Sequence, residues 1–352
     1  MNDKPMLILD AHWRQINELF SAGDLQKLRE LFDVIWARDE PIPADVLEES
    51  LPHATVLIAA EPHIDEQSLS VANNLKCVIE VSGAFPSTID YAACVRHNVQ
   101  VLSCAPGFQQ SVAEMTLGMA LAGARGLVDE HERFRHGKER WLNDNSDSDF
   151  SLFGCTIGFV GYGSIARATH RLLQPFGAEV FAYDPWLNVQ QAAVCGIALK
   201  TLDDLMSSCR LVFVMASPSK NNYQMINATQ LANLQDGALL VVVSRAHLVD
   251  FDAIVEATKT GRFRAAIDVF PTEPLAADHS ARRNQHLILS PHRAAAVDKG
   301  RQLIGTMILH DMHNLLKAHP DRQLQIAEPA RIAEFAGVGN STQVSTMALE
   351  RG

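Results

Sequence analysis

The chain has 352 residues, of which 47% are hydrophobic and 20% are charged, a composition typical of a soluble globular protein. This length corresponds to about two or three domains. With 30 Lys and Arg against 41 Asp and Glu, the formal net charge is -11. An acidic protein of this kind repels nucleic-acid phosphates, so the charge argues against binding to nucleic acid.

Cysteine usage and apolar runs indicate the compartment. The six cysteines include no Cys-x-x-Cys pair, which favours a reducing compartment and predicts a cytoplasmic protein. Near the amino terminus only residues 6–9 form an apolar run, so we expect no signal peptide. The longest apolar stretch, residues 112–128, contains Glu114 and Arg125 and is too short to span a bilayer comfortably. We therefore expect a buried helix there and no association with membranes.

Strand-like and helical patterns alternate along the chain, which predicts an α/β protein with parallel sheets. A first unit of about 100 residues has predicted strands at residues 6–9, 56–60, 77–81 and 99–102. Its predicted helices cover residues 13–32, 66–73 and 89–96.

A long helical pattern follows this first unit. Ser111 is a plausible N-cap, and Glu114 three residues later would complete a capping box. The first half of the pattern is apolar, whereas residues 129–140 are mostly charged. The polar residues 143–149 then predict a loop, which we interpret as the passage between domains.

The second unit has predicted strands at residues 155–160, 180–182, 211–216, 239–244, 265–269 and 287–289. Between two of them a helix is predicted at residues 251–260, after Asp250 and before Gly261. A further helical pattern covers about residues 298–318. The sequence beyond residue 334 is rich in Gly, Ser and Thr, and its pattern fits either a loose end or an arm.

A glycine-rich turn follows the first strand of the second unit. Residues 161–166 read Gly-Tyr-Gly-Ser-Ile-Ala, the G-x-G-x-x-A form of the dinucleotide-binding fingerprint. Gly161 permits a tight turn, Gly163 lets the backbone approach a pyrophosphate, and Ala166 allows close packing of helix and strand. The N–H groups of Ser164 and Ile165 would then face the phosphates at the positive end of a helix.

An acidic residue lies where this fingerprint needs one. Asp184 ends the next strand, 23 residues after Gly161, and would accept the ribose hydroxyls. Because a carboxylate repels a 2′-phosphate, and Tyr183 and Pro185 carry no positive charge, the sequence favours NAD over NADP. The alternative is a structural glycine turn with a solvated aspartate.

Three polar residues follow later strands of the second unit. Arg245, Glu273 and His292 each lie just past the carboxyl end of a predicted strand, the edge where open α/β sheets bind ligands. Together they provide a cation for a substrate carboxylate, a carboxylate, and an acid/base that titrates near neutrality. Each residue taken alone is more often structural.

These motifs together resemble the D-isomer-specific 2-hydroxyacid dehydrogenases over about residues 5 to 330. The resemblance is carried by residues 161–166, Tyr183-Asp184-Pro185, Ser244-Arg245, Asp268 with Glu273-Pro274, and Pro291-His292. It implies that Arg245 binds the substrate carboxylate and polarises the carbonyl, and that His292 is the acid in reduction and the base in oxidation. Glu273 would hydrogen-bond His292 and support its charged form.

The resemblance also implies which other residues would contact the substrate and the cofactor. Backbone N–H groups of Ser82, Gly83 and Ala84 would bind the substrate carboxylate, and Asp268 would lie near the nicotinamide carboxamide. The implied cofactor contacts are Gly161, Gly163, Ser164, Ile165, Asp184, Ser217, Val243, Asp268 and His292.

The family's architecture predicts two Rossmann-like or flavodoxin-like parallel-sheet domains with an active-site cleft between them. The substrate-binding domain would be discontinuous, comprising residues 1–107 and 300–335. The NAD-binding domain would cover residues 108–299, with a dimerisation arm at 111–150, and residues 336–352 would form a tail. A homodimer is therefore expected, in which Trp141 either reaches a partner's active site or simply packs.

Departures from the family pattern bear on the substrate. Ala246 stands where the family usually has glycine, and residues 293–296 replace a run that usually contains glycine. Ala246 and Arg293 would narrow or recharge the substrate pocket. Glu61 lies near a position where phosphoglycerate-type members carry arginine, and we expect no regulatory domain after the catalytic body. Both points predict a substrate other than 3-phosphoglycerate. Formate-specific relatives have glutamine in place of Glu273, which argues against formate.

The sequence therefore predicts an NAD-dependent oxidoreductase that interconverts a 2-oxo acid and its (R)-2-hydroxy acid. The alternative is an NAD(H)-sensing corepressor-like interaction protein of the same fold. No metal is expected, because His310 and His313 lack an evident third ligand. The identity of the acid, the physiological direction and the choice between dimer and tetramer do not follow from the sequence.

Overall fold

The computed structural model describes residues 4–139, 141, 149–336 and 338. The described residues form two compact units. Unit 1 joins the residues up to Gln109 to those from Ala296 onwards, and unit 2 is Gln110–Ala295. The loop predicted at residues 143–149 and the tail beyond residue 338 lie almost entirely outside the described residues.

Strands and helices alternate through both units. The strands are β1 (Met6–Asp10), β2 (Asp33–Arg38), β3 (Ala54–Ala59), β4 (Cys77–Glu80), β5 (Gln100–Ser103), β6 (Thr156–Val160), β7 (Glu179–Tyr183), β8 (Ala198–Leu199), β9 (Leu211–Val214), β10 (Leu239–Val242), β11 (Arg264–Ile267), β12 (Leu287–Leu289) and β13 (Gln325–Ile326). The helices are α1 (Ile16–Leu19), α2 (Ala22–Leu31), α3 (Ala44–Ser50), α4 (Glu66–Val71), α5 (Tyr91–Arg96), α6 (Gln109–Ala124), α7 (Leu127–Arg135), α8 (Ser164–Leu173), α9 (Val189–Val194), α10 (Leu202–Ser208), α11 (Ala228–Asn233), α12 (Phe251–Thr258), α13 (Gln302–Leu316) and α14 (Pro329–Phe335).

The sheet of unit 1 has the order β13-β5-β4-β3-β1-β2, and only β13 pairs antiparallel. Its five parallel strands follow the flavodoxin-like order, in which the direction of winding reverses between β1 and β3. Apolar side chains from both faces are fully buried, as expected for a parallel sheet covered by helices. One face packs against α13, whose Ile304, Ile308 and Met312 join the core.

The sheet of unit 2 is parallel throughout, with the order β8-β7-β6-β9-β10-β11-β12. This is the Rossmann order with one added strand, and its winding reverses between β6 and β9. The two mostly parallel sheets confirm the predicted α/β fold class. None of the helices within the described residues is both long and apolar enough to cross a membrane.

Two predictions for unit 1 were wrong. The helix expected at residues 13–32 is two helices, because the backbone is extended at Phe20 and Ser21, and the Ser21 hydroxyl accepts the Asp24 N–H to cap α2. Strand β2 was not predicted at all. Its side chains are half-buried at the edge of the sheet, so they lack the continuous apolar run of an inner strand.

The helical pattern at the start of unit 2 also differs from the prediction. Helix α6 begins at Gln109, so Ser111 lies buried inside the helix and is not its N-cap. The pattern then breaks at Gly126, whose φ of 58° is left-handed, and α7 starts at the next residue. The predicted strands at 211–216, 239–244 and 265–269 end earlier than expected, which places their last residues on the loops beyond the sheet edge.

Candidate active site

The turn between β6 and α8 packs against the loop after β9, at the point where the strand order of unit 2 reverses. Gly161 has a φ of 87°, and a Cβ at this position would lie 2.3 Å from the Cα of Ala216 in the loop after β9. Only glycine permits this approach. Around Gly163, in contrast, no atom lies within 4 Å of the Cβ position. The turn therefore has no space for a side chain at Gly161, whereas the backbone at Gly163, beside the start of α8, is accessible to a ligand.

The amino terminus of α8 lacks a side-chain cap. Gly163 occupies the N-cap position, and no side chain accepts a hydrogen bond from the first turn. The four following helices of unit 2 are each capped by a side chain, from Asn188, Thr201, Asn227 and Asp250 respectively. The first N–H groups of α8, including those of Ser164 and Ile165, are thus suited to an anion such as a phosphate.

Asp184 follows β7 and binds the turn directly. One carboxylate oxygen accepts the Tyr162 N–H at 2.8 Å, and the other accepts the Trp186 N–H at 2.9 Å. Asp184 also lines a cavity of about 700 Å³, together with residues that follow β8 and residues of α10. Turn, uncapped helix and acid together would suit the phosphates and ribose of a dinucleotide. Contact of these residues with a cofactor stays a prediction.

A cation near this acid was missed in the sequence. Lys200 lines the same cavity as Asp184, and its Nζ donates to the Ser208 hydroxyl at 2.7 Å while lying 3.6 Å from the Phe181 ring centroid. Lys200 directly follows β8, a two-residue strand too short to produce a sequence pattern. Its ammonium is held by a hydroxyl and an aromatic face.

His292 and Glu273 form a hydrogen-bonded pair of titratable groups beyond the ends of β12 and β11. The Nδ1 of His292 lies 2.7 Å from one oxygen of Glu273, whose other oxygen accepts the Phe270 N–H at 2.9 Å. His292 is 38% exposed and Glu273 is 16% exposed. Burial alone would raise the pKa of Glu273, but the hydrogen bonds from His292 and Phe270 and the charges of His292 and Arg245 together lower it.

The backbone at His292 is held in an unusual conformation. Its φ is 51°, a left-handed value that is uncommon outside glycine. The fully buried Asp268 accepts the next two backbone N–H groups, from Arg293 at 2.9 Å and Ala294 at 3.0 Å. Asp268 therefore positions the segment that carries the imidazole, a role that the sequence did not reveal. Its place near a nicotinamide stays a prediction.

Arg245 lies three residues beyond the end of β10, in extended backbone at the start of a short 3-10 helix. Its Nη1 donates to the Ser244 carbonyl at 2.8 Å, and its charge acts on Glu273. Arg245, Glu273 and His292 thus lie in one unit, each on a loop beyond the carboxyl end of a strand. This edge combines a cation, a carboxylate and an imidazole.

The two other predicted cofactor contacts lie on neighbouring loops. Val243 is buried immediately after β10. Ser217 lies after β9, where its carbonyl accepts the Asn222 amide at 2.9 Å and the Ser219 N–H donates to the same side chain at 2.7 Å. Asn222 therefore shapes this loop. Contact of either residue with a cofactor stays a prediction.

The loop predicted to bind the substrate carboxylate lies in unit 1 and already has an acceptor. The carboxylate of Glu80, fully buried at the end of β4, accepts the N–H groups of Ser82 at 2.5 Å, Gly83 at 2.9 Å and Ala84 at 2.8 Å. The Ser82 hydroxyl also donates to it. Burial raises the pKa of Glu80, although these hydrogen bonds oppose that effect. The sequence signal that could have identified Glu80 is its place as a charged residue at the end of an apolar strand.

Within the described ranges, no group of three or more His, Cys, Asp or Glu side chains could hold a metal ion. The Nε2 of His310 instead lies 3.2 Å from the Asp321 carboxylate and 3.0 Å from the Asn314 amide. These contacts describe a polar helix face.

Comparison with known proteins gives consistent family assignments. Residues 117–294 match the model for the NAD binding domain of the D-isomer specific 2-hydroxyacid dehydrogenases. A D-3-phosphoglycerate dehydrogenase from Mycobacterium tuberculosis is 30% identical over 293 residues, which are 83% of this chain and 54% of that protein. A glyoxylate reductase from Thermofilum pendens is 28% identical over 308 residues, or 86% of this chain and 91% of that protein.

The chain is also similar to solved structures. The chain aligns with a phosphoglycerate oxidoreductase from Rhizobium etli with a TM-score of 0.82 and 30% sequence identity, covering 92% of this chain and 99% of that one. The chain spans about half the length of the phosphoglycerate dehydrogenases that it matches.

Proposed function

Because the chain belongs to the D-isomer specific 2-hydroxyacid dehydrogenase family, we propose that it interconverts a 2-oxo acid and the matching (R)-2-hydroxy acid with NAD. The observation that carries this proposal is the His292–Glu273 pair, with an Nδ1 to carboxylate distance of 2.7 Å and the charge of Arg245 acting on the same carboxylate. An imidazole oriented by a carboxylate, beside a guanidinium, suits proton exchange on an oxo acid.

The chain's residues have separate roles in this reaction. NAD, when bound, accepts or supplies the hydride at the substrate C2. Arg245 binds the substrate carboxylate and draws electron density from the oxygen on C2. The Nδ1–H group of His292 donates a hydrogen bond to Glu273. The Nε2 atom is therefore the one that exchanges a proton with the substrate oxygen on C2. Asp268 fixes the backbone beside His292 and so limits where the imidazole can lie.

The acid/base role is tested by replacing His292 with Ala. We expect kcat with 2-oxo acids to fall about 10²- to 10⁴-fold, the range for removal of a general acid–base group. The affinity for NADH, measured by fluorescence titration, should stay within about twofold. Wild-type turnover in the variant would refute the mechanism. His97, an exposed imidazole in unit 1 beside Glu66, is the matched control as His97→Ala.

The reaction class is tested by following NADH absorbance with glyoxylate, hydroxypyruvate, pyruvate, and branched and aromatic 2-oxo acids. We expect turnover with at least one of them. Silence across the whole panel would contradict the dehydrogenase proposal and favour an NAD(H)-sensing interaction protein.

The preference for NAD over NADP follows from Asp184. Its carboxylate is fixed by two backbone N–H groups, and the nearby Lys200 ammonium is held by Ser208 and Phe181. A 2′-phosphate would therefore meet an immobile negative charge, and like charges brought together cost several kcal/mol. We expect kcat/KM with NADH to exceed that with NADPH by about 10²-fold or more. Asp184→Ala should reduce this ratio.

A homodimer is supported by exposed apolar side chains in one stretch of unit 2. Leu127, Phe134 and Trp141 are each more than half exposed, and the rings of Phe134 and Trp141 contact each other edge to face. Such a patch marks an interaction surface. In light scattering, the double replacement of Phe134 and Trp141 by Ser should yield monomers, whereas Val194→Ser, elsewhere in the unit and also exposed, should not.

The cysteines support a reducing compartment, for which we propose the cytoplasm. All six are free thiols in the structure, and none forms a disulfide. Fractionation of cells that produce the tagged chain should place it with cytoplasmic markers. Recovery in an oxidising compartment would contradict this proposal.

A further inference from the structure

A histidine close to Arg245 in the chain has no part in the chemistry described above. His247 lies in the short 3-10 helix Ala246–Leu248, which follows Arg245 in the segment after β10. Its Nε2 lies 2.9 Å from the carbonyl oxygen of Ser219, in the loop after β9. Because a carbonyl oxygen only accepts hydrogen bonds, Nε2 carries a proton and donates the bond. The side chain of His247 therefore joins the loops that follow two neighbouring strands.

The loop that His247 contacts begins beside the turn between β6 and α8. We call residues 215–219 the cofactor loop. The Met215 N–H donates to the carbonyl of Val160, the last residue before the turn, at 2.8 Å. Ala216 packs so closely against Gly161 that a Cβ on the glycine would lie 2.3 Å from the Cα of Ala216. The start of the cofactor loop is thus fixed by the turn itself.

The end of the cofactor loop is fixed by side chains. The Asn222 amide donates to the Ser217 carbonyl at 2.9 Å, and the Ser219 N–H donates to the Asn222 side-chain oxygen at 2.7 Å. Ser219 is only 6% exposed, and its carbonyl accepts the bond from His247. Removal of the imidazole would leave this carbonyl without that donor, which is unfavourable for a buried group.

The imidazole of His247 is itself held in place. The ring of Tyr223 lies edge-on to it, with centroids 5.1 Å apart and an angle of 63° between the planes. The backbone carbonyl of His247 accepts the Gln224 N–H at 2.8 Å, and the Leu248 carbonyl accepts the Ile226 N–H at 3.0 Å. These backbone bonds hold the residues after position 223, whereas the side chain of His247 reaches back to the cofactor loop.

A continuous set of contacts therefore runs through unit 2 from the turn to Arg245. It passes from Gly161 to Ala216, along the cofactor loop to Ser219, and through the imidazole of His247 to the helix that starts at Arg245. The position of a guanidinium that binds substrate matters strongly, since a displacement of about 1 Å can reduce a rate about 10²-fold.

We propose that His247 is a positioning residue, which fixes the cofactor loop relative to Arg245 so that a cofactor on the turn and a carboxylate on Arg245 favour the same arrangement. This inference rests on the proposed function and adds a residue to its machinery. Two ligands that favour one arrangement of a shared element bind more tightly together than separately, and the effect is reciprocal. His247 should therefore govern the coupling between the two ligands more than the affinity for either one alone.

The test measures this coupling with a substrate analogue that cannot react. Oxamate has a carboxylate next to an amide carbonyl, so it resembles a small 2-oxo acid but is not reduced by NADH. The Kd of NADH for the intact protein is measured by fluorescence titration without oxamate and with saturating oxamate. The ratio of the two values is the coupling factor. We expect a factor of about five or more for the wild type.

Substitutions then assign the coupling to His247. His247→Ala should reduce the factor to within about twofold of unity and change the Kd of NADH alone less than about threefold. His247→Gln, whose amide N–H can replace Nε2–H, should restore most of the coupling. His286→Ala is the matched control, because His286 directly precedes β12 and so lies at the opposite edge of the same sheet. It should leave the factor unchanged.

A second variant tests the inference if His247→Ala fails to fold by circular dichroism. Tyr223→Ala removes the ring that orients the imidazole, and the tyrosine side chain is 63% exposed, so its loss is compatible with folding. We expect this variant to reduce the coupling factor to about half of the wild-type value or less. A wild-type factor in this variant would contradict the inference.

Two further results would overturn the inference. One is a wild type whose affinity for NADH is the same with and without oxamate. The other is a wild-type coupling factor in His247→Ala, even with a lower affinity for NADH alone, because His247 would then only stabilise the loop. Failure of the proposed function would look different, since no 2-oxo acid would be turned over while the coupling between NADH and oxamate would remain measurable.

Discussion

Glu80 in unit 1 and Glu273 in unit 2 both anchor a loop beyond a strand, yet their surroundings differ. Glu80 is fully buried and accepts the N–H groups of Ser82, Gly83 and Ala84, and burial raises its pKa. Glu273 is half-buried, and the hydrogen bond to His292 with the charge of Arg245 lowers its pKa. One carboxylate is surrounded by backbone dipoles and the other by cations.

The difference separates a structural carboxylate from a reactive one. Backbone N–H groups fix the shape of a loop, whereas a titratable partner at 2.7 Å couples the carboxylate to proton transfer. We therefore expect substitutions of Glu273 to act first on turnover and substitutions of Glu80 to act first on stability.

In the comparison of the two carboxylates, the largest expected effect is that of Glu273→Gln on turnover. The amide keeps the shape of the side chain but removes the negative charge that supports a protonated His292. We expect kcat to fall by about 10²-fold, the lower end of the range for general acid–base catalysis. Steady-state kinetics with NADH provides the measurement. Unchanged kcat would place Glu273 with Glu80 among the structural carboxylates.

Glu80→Gln should instead lower the free energy of unfolding. One amide oxygen replaces two carboxylate oxygens that serve three N–H groups and a hydroxyl, so at least one buried donor loses its acceptor. We expect a loss of about 1–3 kcal/mol in urea unfolding. Glu66→Gln, at an exposed glutamate of the same unit, is the control and should change stability much less. Equal stability of the two variants would contradict the role assigned to Glu80.

The two carboxylates should also have opposite effects on the pH dependence of stability. The ordinary pKa of glutamate is about 4.3. Because the pKa of Glu273 is lowered on folding, its ionisation stabilises the native state above that value, and the effect is lost as the pH falls through the lowered pKa. Because the pKa of Glu80 is raised, its contribution decreases as the pH rises from that value through the raised pKa.

Measurement of this effect uses the difference in unfolding free energy between wild type and each glutamine variant from pH 4 to 7. We expect the difference for Glu273 to grow with pH and the difference for Glu80 to shrink. Slopes of the same sign would show that the three N–H groups, and not burial, dominate the ionisation of Glu80.

The smallest expected effect is on the reactivity of the cysteine thiols, which differ in how deeply they are buried. Burial raises the pKa of Cys77 to about 12, and those of Cys94 and Cys155 to about 11, and it also raises those of Cys104 and Cys209. Cys195 is partly exposed, and its Sγ accepts a hydrogen bond from Arg167 at 3.6 Å. We expect one rapidly labelled thiol at pH 8, absent in Cys195→Ser. A second equally fast thiol would contradict this ranking.

Local signals in the sequence predicted much of the fold. Apolar runs identified ten of the thirteen strands that the described residues form, in broad outline, and the glycines of residues 161–166 identified the dinucleotide turn. The pattern missed β2, at a sheet edge, and the two-residue strands β8 and β13, because none of the three produces a continuous apolar run. It also joined α1 to α2, because the single residue pair that separates them is too short to interrupt a helical period.

Site residues that depend on distant contacts were not visible in the sequence. Asp268 meets the N–H groups of residues 293 and 294 only after β11 and β12 pair. Glu80 contacts its own loop, but an acid at a strand end is equally consistent with a solvated position. Such roles require coordinates, because spacing along the chain does not encode them.

The discontinuity of unit 1 has a consequence for synthesis. Its amino-terminal part ends at Gln109, but its core needs Ile304, Ile308 and Met312 of α13. A ribosome adding roughly 5–20 residues per second takes about 10–40 s to make the intervening chain. Unit 2 is complete before α13 is made, whereas the nascent unit 1 has apolar side chains without their partners for all of that time. The first part of the chain to leave the ribosome is therefore the last to be completed, and it is where we expect chaperones to bind.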